Sequence, residues 1–252
     1  MENMSELPQE LLDRLCSATS VVVLTGAGAS AESGVPTFRE AQTGLWARYR
    51  PEDLATRAAF TRNPRMVWQW YAWRRELVRH AEPHAGHQAL VALERHFPSF
   101  AIITQNVDGL HQRAGSQRVV ELHGNLFENR CFREDGVVVP EDPEGEPPTC
   151  PSCGGPVRPG VVWFGENLPA EALAEANALL RSCQILLVAG TSGLVWPAAG
   201  LPGLARSLGA WVVEINPEPT LVSESAHLVV RGKAGTTLSR IAEALMSPGG
   251  LP

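Results

Sequence analysis

The chain has 252 residues, enough for one large domain or two modest ones with a substantial hydrophobic core. Hydrophobic residues make up 44% of it and charged residues 19%, which is typical of an ordinary soluble globular protein. The net charge of −6 argues against a general nucleic-acid binder, because such a protein carries a basic excess.

The N-terminal stretch MENMSELPQELLDRL lacks both the Arg-rich face and the apolar core of targeting segments. No apolar run in the chain is long enough for a membrane helix. Without a secretion signal, metal binding or buried thiols explain the five cysteines better than disulfides do. These features predict a cytoplasmic protein that binds neither membrane nor nucleic acid.

Short apolar runs rich in β-branched residues recur along the chain, and most are continuous rather than alternating. Continuous apolar runs are typical of strands that are buried on both faces of a parallel sheet. Helical patterns lie between several of them, so we predict a doubly wound α/β domain of Rossmann type. The predicted strands are 20–25, 100–104, 118–122, 184–190, 210–216 and 227–230. The predicted helices are 87–97, 170–183 and 236–245.

Two stretches interrupt this alternation and predict a second, smaller domain. Residues 40–82 contain no strand pattern but carry a Trp- and Arg-rich helix that starts at Pro64. Residues 124–165 are rich in Pro, Gly and acids and contain three cysteines. The larger domain then comprises 1–39, 83–123 and 166–252. A cleft between the two domains is a natural ligand site.

The first predicted strand leads into GAGASA, which fits the dinucleotide fingerprint G-x-G-x-x-G/A. Gly26 permits the tight turn, and Gly28 lets the backbone approach a pyrophosphate. In a dehydrogenase a full helix would follow, but here Gly34 and Pro36 end it early. We therefore expect a nucleotide site that is not a dehydrogenase site.

Other strand ends carry polar residues that could complete such a site. Glu214 or Asn216, at the end of AWVVEIN, could contact a ribose, and GTS at 190–192 could also meet the ligand. The simpler interpretation of each is a strand-end turn.

The run TQNVD places Gln105, Asn106 and Asp108 directly after the strand 100–104. A single residue of this kind is usually a turn former, but three together indicate a pocket that hydrogen-bonds a polar ligand. His123 ends the next strand along the chain, and an imidazole beside a nucleotide loop is a candidate general base.

The segments GAGASAESGVPTFR, TQNVDGLH, ELHG, VVWFGE, GTS and EIN occur in the order and roughly the spacing of the sirtuin family. The chain resembles a sirtuin from about residue 20 to residue 240, and it is most similar to the bacterial class III type. The resemblance implies a Rossmann-type domain with a small domain built from a helical and a zinc-ribbon-like insertion. It also implies NAD-dependent removal of acyl groups from protein lysines, which yields nicotinamide and O-acyl-ADP-ribose.

The resemblance assigns roles residue by residue. The acyl oxygen attacks C1′ of the ribose as nicotinamide leaves, and His123 then acts as general base on a ribose hydroxyl. Asp108 and the Val107 backbone hold the nicotinamide carboxamide, while Phe38 and Arg39 lie by its ribose. The complete set implied for NAD is Gly26, Ala27, Gly28, Ser30, Phe38, Arg39, Gln105, Asn106, Val107, Asp108, Gly190, Thr191, Ser192, Asn216 and Ala234.

For the acylated lysine the resemblance implies Val162 and Phe164 on its flanks, with backbone contacts from Gly165 and Glu166. Tyr71 and Arg74 stand three residues apart and so share one helix face. A Y-x-x-R pair at this place resembles sirtuins that accept succinyl or malonyl groups, since a guanidinium can hold a carboxylate bidentately. The neighbouring Arg75 and Arg79 are expected to lie in water.

TCPSCGG contains a C-x-x-C pair, half of a typical structural zinc site. The resemblance places the other half at CFRED, where Cys131 is followed three residues later by Glu134. The candidate ligands are therefore Cys131, Cys150 and Cys153, with Glu134 or a water as the fourth. An insertion that folds without zinc is the alternative, and any metal here is structural.

Two other functions remain open at this stage. The same loss of nicotinamide could serve ADP-ribosyl transfer to an arginine or to water. The chain could instead be a binding module that senses NAD. A monomer is favoured.

Overall fold

The computed structural model describes residues 7–36, 49–140 and 146–247. Its main sheet has six strands, all parallel, in the order β3-β2-β1-β6-β7-β8. The strands are β1 Ser20–Thr25, β2 Ser99–Thr104, β3 Val119–Glu121, β6 Ile185–Ala189, β7 Trp211–Ile215 and β8 Leu228–Val230. All six predicted strands and the doubly wound α/β class are confirmed.

The helices are α1 Gln9–Ser17, α2 Pro51–Leu54, α3 Arg57–Arg62, α4 Pro64–His80, α5 Ala85–His96, α6 Leu110–Ala114, α7 Ala170–Ser182, α8 Leu201–Ser207 and α9 Ala234–Met246. The three predicted helices that alternate with the strands correspond to α5, α7 and α9. The Trp-rich helix begins at Pro64 as predicted, where Asn63 caps it by accepting a hydrogen bond from Met66 N.

The continuous apolar strands are buried on both faces, as their composition predicts. In β1 the side chains of Val21 and Val23 join the core beneath α1, α5 and α9, whereas Val22 and Leu24 join the core beneath α7 and α8. Successive side chains of a strand point to opposite faces, so one β-branched run supplies both cores.

After β1 the chain makes two single 3-10 turns, Ala27–Ala29 and Ala31–Ser33, instead of a long helix. Gly34 ends the second turn with φ of 76°, in the left-handed region that glycine adopts without strain. The predicted early break of the helix is confirmed.

The cysteine-containing insertion forms an antiparallel hairpin of β4 (Gly124–Cys131) and β5 (Val157–Val161), which the sequence analysis did not predict. It packs against α4, where Trp68 lies in one cluster with Cys131, Cys150 and Val157. Both insertions therefore share buried side chains.

Arg75 contradicts the expectation that it lies in water. Its guanidinium donates from Nε to Leu126 O at 2.6 Å and from Nη2 to Glu128 O at 3.0 Å. The helical insertion is thus tied to β4 by a side chain that the sequence pattern assigned to solvent. Within 7–36, 49–140 and 146–247, none of the helices has the length and apolar character needed to cross a membrane.

Candidate active site

A cavity of about 260 Å³ opens at the carboxyl edge of the sheet, between the strand ends and the two insertions. In the sheet, β1 lies between β2 and β6, so the strand order reverses there, and ligands of open α/β sheets bind at such a switch point. The predicted site residues that line this cavity are Ala27, Ser30, Tyr71, Arg74, Gln105, Asn106, Val107, Asp108, His123, Val162, Phe164, Gly165 and Glu166. Phe38 and Arg39 lie outside the described residues.

The loops after β1 and β6 approach each other closely. Gly28 N donates to Gly190 O at 2.8 Å, and a Cβ on Gly28 would lie 2.8 Å from that oxygen. Gly190 itself has φ of 65°. Only glycine fits such contact between two backbones, so the loops after β1 and β6 are joined at this edge of the sheet.

Polar side chains from three strand ends join these loops. Gln105 Nε2 donates to Thr191 Oγ1 at 2.9 Å, and Asn106 Nδ2 donates to Ser30 Oγ at 3.0 Å. Asn216 Nδ2 donates to Thr191 O at 3.0 Å. The residues predicted from separate motifs are therefore linked to one another at one edge of the sheet.

Two further predicted NAD residues differ in their surroundings. Ser192 is exposed beside Thr191, whereas Ala234 is the first residue of α9 and its side chain is buried in the sheet core. The alternative ribose contact Glu214 is contradicted: it is fully buried, accepts hydrogen bonds from the Thr220 and Ser223 hydroxyls, and pairs with Arg231.

His123 has a defined tautomer. Its Nδ1 lies 2.9 Å from the carbonyl oxygen of Gln105, and because a carbonyl only accepts, Nδ1 carries the proton. Nε2 is then the basic nitrogen. Burial lowers the pKa of His123 below the ordinary 6.5, and the bond to Gln105 acts in the opposite direction. The ring is therefore neutral near pH 7 and able to take a proton.

Asp108 and Arg74 are both buried at the cavity wall, with 5% and 9% exposure. Burial raises the pKa of Asp108, while hydrogen bonds from the Leu110 amide and the Ser30 hydroxyl and the charge of Arg74 oppose that rise. Burial lowers the pKa of Arg74, and the negative charge of Asp108 opposes that shift. The opposite charges of Asp108 and Arg74 thus partly compensate the cost of burying each group.

The segment 162–166 forms another wall of the cavity. Val162 N donates to His123 O at 2.8 Å and Phe164 N donates to Ala55 O at 2.9 Å, so the segment is held between the main sheet and the helical insertion. The Phe164 side chain is 51% exposed.

The Glu166 carboxylate does not face the cavity freely, because it accepts from Arg158 Nη2 at 2.8 Å and from Trp163 N at 2.8 Å. Its backbone N–H donates to Trp163 O at 3.0 Å. Glu166 therefore anchors the segment. Similarly, the Val107 carbonyl already accepts from Leu126 N at 2.8 Å.

Cys131, Glu134, Cys150 and Cys153 form a tetrad whose ligand atoms all lie within 4.8 Å of one another. Three thiols and a carboxylate are a donor set that suits zinc. Cys131 Sγ and Cys153 Sγ are 3.4 Å apart. The tetrad could hold a zinc ion, and none of its four residues lines the cavity.

Several cavity residues were not predicted from the sequence, notably Trp163, Val195 and Trp196. Trp163 lies inside the segment VVWFGE, between Val162 and Phe164, which the resemblance assigns to the acylated lysine. Trp196 is 75% exposed, and such exposure of a large aromatic side chain cannot be read from an apolar run. No sequence signal distinguished these residues from core residues.

The family model described as Sir2 family matches residues 26–197. A protein of Aquifex aeolicus strain VF5, named NAD-dependent protein deacylase, is 51% identical over 228 residues, which cover 88% of this chain and 93% of that protein. A Ralstonia nicotianae protein of the same name is 55% identical over 226 residues, covering 88% and 90%.

Solved structures are similar over nearly the whole chain. A crystal structure of a Sir2 homologue in complex with NAD has a TM-score of 0.89 and 44% identity, covering 96% of this chain and 94% of that one. A Sir2 complex with a p53 peptide and NAD⁺ has a TM-score of 0.82 and 34% identity, covering 94% and 98%. Because both the family model and these relatives match most of its length, the chain belongs to the Sir2 family.

Proposed function

We propose that this chain is an NAD-dependent protein-lysine deacylase with His123 as its general base. The observation that carries the proposal is the cavity in which a neutral histidine of defined tautomer faces the polar run after β2 and the segment 162–166. Its relatives at 51–55% identity bear the same activity in their names.

The nucleotide site is supported by the close backbone contact of Gly28 with Gly190 and by the linked polar groups of Gln105, Asn106 and Thr191. These residues, with Ala27 and Ser30, would hold NAD, with Asp108 and the Val107 backbone on its carboxamide. NAD supplies the ribosyl group that accepts the acyl chain, with nicotinamide as the leaving group.

The protein's part in the chemistry is positioning and proton transfer. His123 takes a proton at Nε2 from a ribose hydroxyl, and its Nδ1–H stays bonded to Gln105 O, so the imidazolium that forms is stabilised by a carbonyl. Val162 and Phe164 line the cavity and flank the acyl-lysine.

Tyr71 and Arg74 support a preference for acidic acyl groups. Both line the cavity, as expected if they share one face of α4, and both are buried. A succinyl or malonyl carboxylate would there meet a guanidinium and a phenol, which can together supply charge-assisted hydrogen bonds. We expect desuccinylation or demalonylation alongside deacetylation.

The test is an assay with NAD and matched acetyl-lysine and succinyl-lysine peptides, in which nicotinamide and O-acyl-ADP-ribose are both quantified. Equal release of nicotinamide, O-acyl-ADP-ribose and deacylated peptide is expected. Nicotinamide without deacylated peptide would favour ADP-ribosyl transfer, and binding of NAD without turnover would favour a sensing module.

The pH dependence follows from the lowered pKa of His123. A general base must be unprotonated, and this histidine stays unprotonated at pH values below its ordinary pKa of 6.5. We expect the acid limb of kcat/KM for the acyl peptide to lie below pH 6.5, measured at saturating NAD with circular dichroism as the control for folding. A limb centred above pH 6.5 would contradict this assignment.

We also propose that Glu134 is the fourth zinc ligand. Two similar turns support it: Asp135 N donates to Cys131 O at 2.9 Å, and Gly154 N donates to Cys150 O at 2.9 Å. Asp135 and Gly154, which close these turns, have φ of 56° and 66° respectively. Glu134 and Cys153 therefore occupy equivalent places in two turns of the same form, each three residues after a cysteine.

Protein purified without chelator is expected to contain one equivalent of zinc, and Glu134→Ala is expected to bind it at least tenfold more weakly. Titration with a chromophoric chelator measures that affinity. Substitution with Co²⁺ adds a spectroscopic readout, since Glu134→Cys converts a three-sulfur, one-oxygen site to four sulfurs and should intensify the thiolate charge-transfer bands. A wild-type protein with no stoichiometric zinc, or unchanged affinity in Glu134→Ala, would contradict the ligand set.

A further inference from the structure

Trp163 makes a buried hydrogen bond with one of the proposed acyl-reading residues. Its indole Nε1 donates to the Tyr71 hydroxyl oxygen at 2.9 Å, across 92 positions of sequence. Trp163 is 2% exposed, and both residues line the cavity. The bond therefore lies within the wall that an acyl chain would contact.

The chemistry of the two groups sets the direction of this bond. An indole N–H can only donate, so the phenol oxygen of Tyr71 must accept. The single phenolic proton then points away from Trp163. Burial raises the pKa of Tyr71 above its ordinary value of 10.0, which keeps that proton in place. Tyr71 thus remains a donor to any further partner.

The indole is itself held in place from several sides. The Arg158 guanidinium lies over its ring at 3.6 Å from the centroid, and the Phe60 ring is 5.4 Å away. The Trp163 backbone N donates to the Glu166 carboxylate, which Arg158 also holds. Since the ring cannot turn without breaking these contacts, its N–H has a fixed direction before any ligand enters.

A donor-only partner matters for an acidic acyl group. A carboxylate accepts hydrogen bonds and repels the lone pairs of another acceptor. If the neighbour of Tyr71 were an acceptor, the phenol would donate its proton to that neighbour and present lone pairs to the carboxylate. Because Trp163 donates, the phenol oxygen accepts with one lone pair, and the phenol proton remains available to the acyl carboxylate.

We propose that Trp163 is a positioning residue for acidic acyl groups, which orients the Tyr71 hydroxyl as a donor toward the acyl carboxylate. The inference rests on the proposed reading of succinyl or malonyl groups by Tyr71 and Arg74. It concerns selectivity between acyl groups, because an acetyl group has no carboxylate for this hydroxyl to contact.

Trp163→Phe keeps a buried aromatic ring and removes the N–H. We expect it to lower kcat/KM for the succinyl peptide about fivefold, the effect of one hydrogen bond, and to change kcat/KM for the acetyl peptide less than twofold. Tyr71→Phe should lower succinyl activity by a similar or larger factor. If the indole acts through the hydroxyl, the double variant should be no worse than Tyr71→Phe alone.

Trp68→Phe is the matched control, since Trp68 is a buried indole that packs beside Cys131 and Cys150. It is expected to lower the Tm comparably without changing the ratio of succinyl to acetyl activity. Equal loss of succinyl and acetyl activity in Trp163→Phe, or additive losses in the double variant, would overturn the proposed role of Trp163. The proposed role of Tyr71 and Arg74 would be unaffected by either result. A wild-type enzyme without activity on succinyl or malonyl peptides would overturn the acyl-group proposal and this inference with it.

Discussion

Replacing His123 by alanine is expected to lower the rate of deacylation about 10²- to 10⁴-fold, the usual contribution of a general base. The physical reason is the tautomer of the ring: Nδ1–H is bonded to Gln105 O, and Nε2 is the nitrogen that can take a proton. Without His123 the ribose hydroxyl loses the base that would take its proton. The measurement is single-turnover formation of O-acyl-ADP-ribose at saturating NAD and peptide.

A second readout separates a catalytic loss from a damaged site. In the proposed sequence of steps His123 acts after nicotinamide has left, so exchange of labelled nicotinamide into NAD should survive in His123→Ala. His80→Ala is the matched control, because the His80 side chain is 77% exposed and does not line the cavity. Loss of nicotinamide exchange in proportion to deacylation would contradict the assignment of His123 as a base for the later step.

The second large effect is expected for Arg74→Met. A charge-assisted hydrogen bond contributes about 1.5–3 kcal/mol, which corresponds to roughly 10- to 150-fold in kcat/KM for a succinyl peptide. Methionine keeps an unbranched apolar side chain at a position that is 9% exposed, so acetyl activity should fall no more than about threefold. Steady-state kinetics on paired peptides of one sequence measure the ratio.

Arg74→Lys is the companion variant. It keeps the positive charge beside Asp108 but lacks the planar fork that holds a carboxylate bidentately. We expect an intermediate loss of succinyl activity in this variant. The Tm of both variants shows whether a change at Arg74 destabilises the fold by leaving the buried Asp108 carboxylate without its positive neighbour. Equal losses on acetyl and succinyl peptides would count against Arg74 as the carboxylate-reading residue.

Much of the fold follows from local sequence patterns. The continuous β-branched run at β1 supplies both cores because its side chains alternate between two faces. Gly34 ends the 3-10 turn Ala31–Ser33 because glycine adopts the left-handed conformation without steric strain. The hairpin of β4 and β5 was missed because its strands carry polar residues and a proline, and its stability comes from packing against α4 rather than from strand propensity.

The sequence by itself determined the parallel sheet, the broken nucleotide loop, the candidate residues at the strand ends and the two insertions, because periodicity and glycine chemistry act within a few residues. The domain boundaries and the individual residue roles remain predictions. Only the tertiary structure decided that His123 is protonated on Nδ1, that Glu166 anchors its segment, and that the Glu134 carboxylate lies within 4.8 Å of the three thiols. It also brought Trp163 to Tyr71 across 92 positions. These features depend on partners far away in the chain, and no local pattern encodes the direction of a hydrogen bond between them.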